Sequence, residues 1–204
     1  SSSITPDYIN NGTQIEVYSK WNKKCDMFSY KILIDDEYFE NTEADSVWIS
    51  EDNKEFKFTY TILDNESEVA DGKYNIALLA RDIISTIVDT LEFTLDNTEP
   101  NHIDTYLVDK NGANLGIDNY KFANGDTLRI KSYWSTGLYT NAELVTVDLS
   151  QIDSTIDGPI EMELINNEYF YCEHPISFLN STEVDTNKAI VLNAVDKAGN
   201  AKSN

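Results

Sequence analysis

The sequence predicts an all-β chain made of two similar sandwich modules, and three observations carry that prediction. The first is an echo. Asn11-Gly-Thr-Gln-Ile-Glu-Val-Tyr-Ser-Lys-Trp21 returns in the second half as Asn124-Gly-Asp-Thr-Leu-Arg-Ile-Lys-Ser-Tyr-Trp134. It matches Ile15 with Leu128, Val17 with Ile130, Ser19 with Ser132 and Trp21 with Trp134. The second is another echo in the same order at nearly the same offset. Asp71, Ile76, Leu78, Ala80 and Asp82 are answered by Asp185, Ile190, Leu192, Ala194 and Asp196. Echoes that keep their order and spacing mark a repeated structural unit. The third is periodicity: both runs alternate apolar and polar residues, as strands with one buried face do. No window repeats its apolar residues at i, i+3, i+4 and i+7, so helix content is expected to be near nil.

In chain order, Ser3 to Ile9 reads as an opening strand, with Pro6 tolerated because it lies near an edge. Thr13 to Trp21 is the repeated strand. After the polar Asn22-Lys-Lys-Cys-Asp26, Phe28, Tyr30, Ile32 and Ile34 alternate as the next strand. Val47-Trp-Ile49 forms a short strand, and Phe56, Phe58, Tyr60 and Ile62 alternate as another. Lys73 to Arg81 and Val88 to Leu95 complete the first module. Seven such runs separated by turn residues argue for a β-sandwich of the immunoglobulin-like kind.

Leu95-Asp-Asn-Thr-Glu-Pro100 is the boundary, giving modules at 1–98 and 99–204. The second module opens with His102 to Val108, a tight turn at Asp109-Lys-Asn-Gly112 and the repeated strand. Leu144 to Leu149, Ile160 to Leu164 and Glu168 to Ile176 follow as strands. Aligning Phe56, Phe58, Tyr60 and Ile62 with Phe170, Cys172, His174 and Ile176 turns Cys172 and His174 inward. After Asp196 too few residues remain for a last strand like that of the first module. The second sandwich is therefore expected to lack that strand, leaving an edge that a neighbouring molecule could fill by strand donation.

The 36 Asp and Glu against 15 Lys and Arg give a formal charge of -21. Such a surface repels nucleic acid and anionic lipid, and attracts cations. No apolar run is long enough to cross a bilayer, so no direct membrane insertion is expected. Cys25 and Cys172 are not repeat equivalents, and no metal-binding cysteine spacing occurs. Beginning at Ser1-Ser-Ser without an initiator Met, the chain is expected to be a piece of a longer protein.

Three motifs then point to a family. Val145-Thr-Val-Asp-Leu-Ser150, Ala194-Val-Asp-Lys-Ala-Gly-Asn200 and Leu95-Asp-Asn-Thr-Glu-Pro100 resemble segments of the bacterial and archaeal immunoglobulin-like repeats. These repeats occur in surface-layer proteins and large adhesins. The first module departs from the pattern, with Arg81-Asp82-Ile-Ile-Ser85 in place of the Ala-Gly-Asn turn. The resemblance implies an extended array of rigid modules outside a cell, whose partners are further modules or other copies of the same protein.

No catalytic constellation stands out. The two histidines, His102 and His174, fall in different modules, and the chain has no HExxH, nucleophile elbow or Gly-rich phosphate loop. Calcium is the better chemical expectation, because it takes six to eight oxygen ligands. Asp82, Asp96, Asn97, Glu99 and Asp109 are the candidate ligands near the junction. Asn11, Asn65 and Asn180 sit in glycosylation acceptor patterns. Trp48, which has no repeat equivalent, is read as core cover like Trp21 and Trp134; the alternative is an exposed platform for a sugar ring. The sequence thus supports a non-catalytic, rigid, acidic spacer at the cell surface. The alternative is an adhesin or carbohydrate-binding accessory segment, which a cluster of exposed aromatics on one face would favour.

Overall fold

The computed structural model describes residues 1–34, 37–38, 44–62, 70–115, 121–137, 139–177 and 188–204. Among the described residues there are strands, bridges and turns but no helix. The chain divides into two compact units, Ser1–Asn97 and Thr98–Asn204.

In the first unit the strands are β1 (Ser2–Thr5), β2 (Tyr8–Ile9), β3 (Gln14–Lys20), β4 (Met27–Ile34), β5 (Glu37–Tyr38), β6 (Ser46–Ile49), β7 (Glu55–Thr61), β8 (Gly72–Arg81) and β9 (Thr86–Leu95). One sheet has the order β1-β3-β7-β6 and the other β2-β9-β8-β4-β5. Among the described residues only β2 pairs in parallel, against β9. Period-two alternation sends Ile15, Val17, Phe56, Phe58 and Tyr60 from the first sheet and Ile32, Ile76, Leu78 and Phe93 from the second into one buried cluster. Two facing sheets over a shared core make a sandwich.

The second unit contains β10 (His102–Leu107), β11 (Thr127–Trp134), β12 (Leu144–Asp148), β13 (Ile160–Glu161), β14 (Glu163–Ile165), β15 (Tyr169–Pro175), β16 (Val191–Val195) and β17 (Ala201–Ser203). Its sheets run β10-β11-β15-β14 and β13-β12-β16-β17. Leu128, Ile130, Trp134 and Phe170 meet Val145, Val147, Leu192 and Ala194 in its core.

The same contacts recur in both units. Ile15 lies opposite Tyr60, and Leu128 opposite His174. Leu78 lies opposite Tyr30, and Leu192 opposite Val147. The Gly12 amide donates to the Ile62 carbonyl at 2.7 Å, and the Gly125 amide to the Ile176 carbonyl at 2.8 Å. Both glycines have positive φ, 84° and 89°, which explains the repeated Asn-Gly. Ser19 and Ser132 are fully buried, and each accepts the indole N–H of the tryptophan two residues on, at 3.0 and 2.9 Å. In both copies the indole N–H satisfies the buried hydroxyl, which accounts for Ser-x-Trp in both echoes.

Four expectations are corrected. The opening strand is two strands in different sheets, divided at Pro6. The expected strand from Ile160 to Leu164 is likewise divided: β13 joins β12, and β14 joins β15. Met162 between them is buried in the core, and its amide donates to the Val145 carbonyl. The last strand of the second unit, expected to be missing, is present as β17. It pairs with β16 from Val195 to Asn193, and Leu192 and Asn204 exchange two further backbone bonds. The edge that motivated strand donation is therefore occupied along β16, because three residues and a terminal Asn suffice to satisfy so short a strand. Trp48 does not cover core: it is 51% exposed, facing outward beside Lys57. Alternation explains this, since Val47 and Ile49 take the side of Phe58 and Phe56.

Candidate functional site

Most of the candidate calcium ligands hold local bonds of their own. Asp82 caps the β8–β9 turn, its Oδ1 accepting the amides of Ile84 and Ser85 at 2.8 and 2.6 Å. These bonds hold its carboxyl below the usual range. Asp196 does the same after β16, accepting the Asn200 amide at 2.8 Å. The repeated Asp is thus a turn staple of the Asx kind. Between Asp82 and Ser85, Ile83 and Ile84 are 91% and 93% exposed. Asp96 is buried at the opposite end of the β8–β9 ladder, where Leu95 pairs with Gly72. Ten-residue strands separate it from Asp82, roughly 30 Å at about 3.4 Å per residue. Asn97 accepts the Asn11 amide and donates its own to Asp71.

In the second unit, Glu99 pairs with Lys202 at 2.8 Å. Asp109 accepts the Asn111 and Ala113 amides of its turn at 2.8 and 2.9 Å, which lowers its pKa. Among the described residues, no three His, Cys, Asp or Glu gather as a metal group. Calcium drawn to these acids would compete with turn bonds and with the Lys202 pair. Of the acceptor asparagines, Asn11 is half-buried at its turn; Asn65 and Asn180 lie outside the described residues.

The cysteines and histidines are embedded in the scaffold. Cys25 and Cys172 are free and buried. Burial, then neighbouring acids, push both thiols up, away from the thiolate that reacts. His102 Nε2 meets Thr105 Oγ1 at 2.8 Å, Thr105 meets Ser132 Oγ at 3.0 Å, and Ser132 accepts the Trp134 indole. This is a relay of satisfied polar groups running into the core. His174 Nε2 lies 3.2 Å from Asp153 Oδ2.

Asp153 is the most buried acid of this unit, at 0% exposure. Its Oδ1 accepts the Thr155 hydroxyl at 2.7 Å and amide at 2.9 Å, and its Oδ2 accepts the Ser177 amide at 2.7 Å. The Thr155 hydroxyl and the Ser177 amide hold its pKa well below the usual carboxylate range. A depressed folded pKa stabilises the fold above the unfolded pKa, and that contribution is lost as pH falls through the folded one. Asp153→Asn is therefore expected to be less stable than the native chain at neutral pH, with the gap narrowing below about pH 4. Urea midpoints measured across that range test this; parallel pH profiles for the two proteins would refute it.

One sheet face of the second unit carries a cluster that no sequence motif marks. In the sheet β10-β11-β15-β14, outward positions carry Tyr106, Tyr133, Tyr169 and Tyr171, all half-buried. Ring centroids of Tyr106 and Tyr133 lie 5.9 Å apart, and those of Tyr133 and Tyr169 5.6 Å. Lys131 Nζ sits 4.4 Å from the Tyr169 ring centre, within cation–π range. Tyr106 donates to Asp104, and Tyr171 donates to Glu173 at 2.9 Å. Arg129 also bonds Glu173, at 3.0 Å. Both carboxylates are held below their usual pKa, Asp104 chiefly by Tyr106 and Glu173 chiefly by Arg129. The available signal was tyrosine at the polar positions of alternating strands, Tyr133 on β11 and Tyr169 and Tyr171 on β15. The chain matches no protein-family model and no curated protein.

Proposed function

We infer that the two units are tandem immunoglobulin-like modules of a cell-surface or surface-layer protein, acting as rigid, acidic, non-catalytic spacers. The observation that carries this reading is the recurrence of one strand order in both units. β1-β3-β7-β6 corresponds to β10-β11-β15-β14, and β9-β8-β4-β5 to β17-β16-β12-β13. That order is the four-plus-three arrangement of immunoglobulin sandwiches, with short additions at the edges. Repetition of a scaffold whose polar groups serve its own turns suits a part that sets distance. The net charge of -21 keeps such surfaces apart and soluble.

Protease shaving of intact source cells, followed by mass spectrometry, tests the location. Peptides of this chain are expected in the shaved fraction before any cytoplasmic marker is released. Their confinement to the lysate of shaved cells would overturn the reading.

A further inference from the structure

The tyrosine face of the second unit is matched only in part by the first. On the same face the first unit carries Tyr18 and Trp48 on either side of Lys57, but it has no counterpart of the Tyr133–Tyr169 pair. Ser19 opposite Phe56 corresponds to Ser132 opposite Phe170. At the next rung the first unit places Lys20 against Glu55, an ion pair of 2.6 Å. The second unit places Tyr133 beside Tyr169 there. One step the other way, Tyr18 against Lys57 becomes Lys131 against Tyr171. The first unit also carries a Glu16–Lys57 pair at 2.5 Å on this face. A solvated ion pair therefore suffices at the rung that holds Tyr133 and Tyr169, and that ring pair is an addition to the scaffold.

We propose that this face binds a neutral polysaccharide, whose sugar rings pack against the corrugated surface of Tyr106, Tyr133 and Tyr169. Tyrosine offers a large, rigid, amphipathic contact area at low entropic cost, and its ring accepts the C–H face of a sugar. The ring centres step by 5.9 and 5.6 Å with planes inclined by 74° and 44°, so the rings make a corrugated aromatic surface. Sugar hydroxyls both donate and accept hydrogen bonds, and the face supplies both kinds of partner: Lys131 and Arg129 donate, Asp104 and Glu173 accept. The hydrogen bonds from Tyr106 to Asp104 and from Tyr171 to Glu173, together with the Lys131 contact, fix these groups before anything binds, which limits the ordering cost of binding. Charge selects the occupant. A chain of net charge -21 repels nucleic acid, acidic polysaccharide and a second copy of itself, but not a neutral polyol. The proposal goes beyond the spacer reading and stands without it.

Affinity electrophoresis of the whole chain tests it. Native gels would contain, in turn, xylan, mixed-linkage β-glucan, hydroxyethylcellulose, galactomannan, yeast mannan and glycol chitin. At least one is expected to retard the chain. The double variant Tyr133→Lys/Tyr169→Glu installs the pair that the first unit carries at the same rung, so it is expected to fold, with circular dichroism as the check. It should lose about tenfold or more in affinity, as removal of an aromatic anchor does. Two outcomes overturn the proposal: no polysaccharide retards the native chain, or the variant is retarded equally. A third does so as well, namely self-association in sedimentation velocity that the double variant abolishes while no gel retards either protein. In that case the face docks copies of the chain.

Discussion

Phe58→Ala is expected to lower the stability of the first unit by about 4 kcal/mol. Phe58 is fully buried where both sheets meet. Its ring stacks on Tyr30 of the opposite sheet with centroids 4.0 Å apart, and it packs 5.6 Å from the Phe56 ring. Along the sheet it lies between Val17 of β3 and Val47 of β6. Truncation would remove the ring's transfer energy and leave a cavity that paired strands cannot collapse to fill. Small domains hold only about 5–15 kcal/mol in all, so the variant should sit close to unfolding. Urea denaturation by circular dichroism gives the magnitude, and hydrogen exchange of peptides from residues 1–97 gives the location. A loss below about 1 kcal/mol would mean that Phe58 is not the keystone of this core. Phe58→Leu, which keeps most of the volume, should cost much less.

Trp134→Ala is expected to cost the second unit about 3 kcal/mol or more. The side chain is 4% exposed and packs against the His102 ring at 5.0 Å, edge to face. Its indole N–H ends the relay through Ser132 and Thr105 to His102. Two milder variants separate packing from hydrogen bonding. Trp134→Phe keeps a ring, and Ser132 keeps Thr105 as partner, so about 1 kcal/mol is expected. Ser132→Ala leaves the indole N–H buried without an acceptor, and about 2 kcal/mol is expected. Equal losses for Ser132→Ala and Trp134→Ala in chemical denaturation would show that the hydrogen bond, not the ring, dominates.

The strands were legible where one face is buried and the other wet. The runs around Ile15, Phe58, Leu78, Leu128 and Leu192 show their alternation plainly, because each core position recurs at every second residue. Strands that change sheets part-way were not legible, since Ser3 to Ile9 and Ile160 to Leu164 keep their extended pattern through the crossing. The pattern reports extension and burial, not which neighbour accepts the hydrogen bonds. The closing strand β17 was missed for a related reason: Ala201, Lys202 and Ser203 are all exposed, so no alternation marks them. Trp48 misled because size suggested burial, while its place between Val47 and Ile49 turned it outward. Among the candidate site residues, Asp82 was named as a calcium ligand, while its repetition as Asp196 marked the repeated module. The turn bonds that both residues make are a role that composition does not display. The tyrosine face needed the register, because Tyr106, Tyr133 and Tyr169 are far apart in sequence and only strand pairing makes them neighbours.

Because Asp82 and Asp196 close their turns through backbone amides, the side chains at each tip are relieved of holding the hairpin together. That is why Ile83-Ile84 at one tip and Lys197-Ala-Gly199 at the other serve equally well. Such tips are natural places for side chains to vary: a polar residue or a fluorophore carried on the side chain at position 83 or 84 would interrupt no backbone bond and disturb no buried side chain.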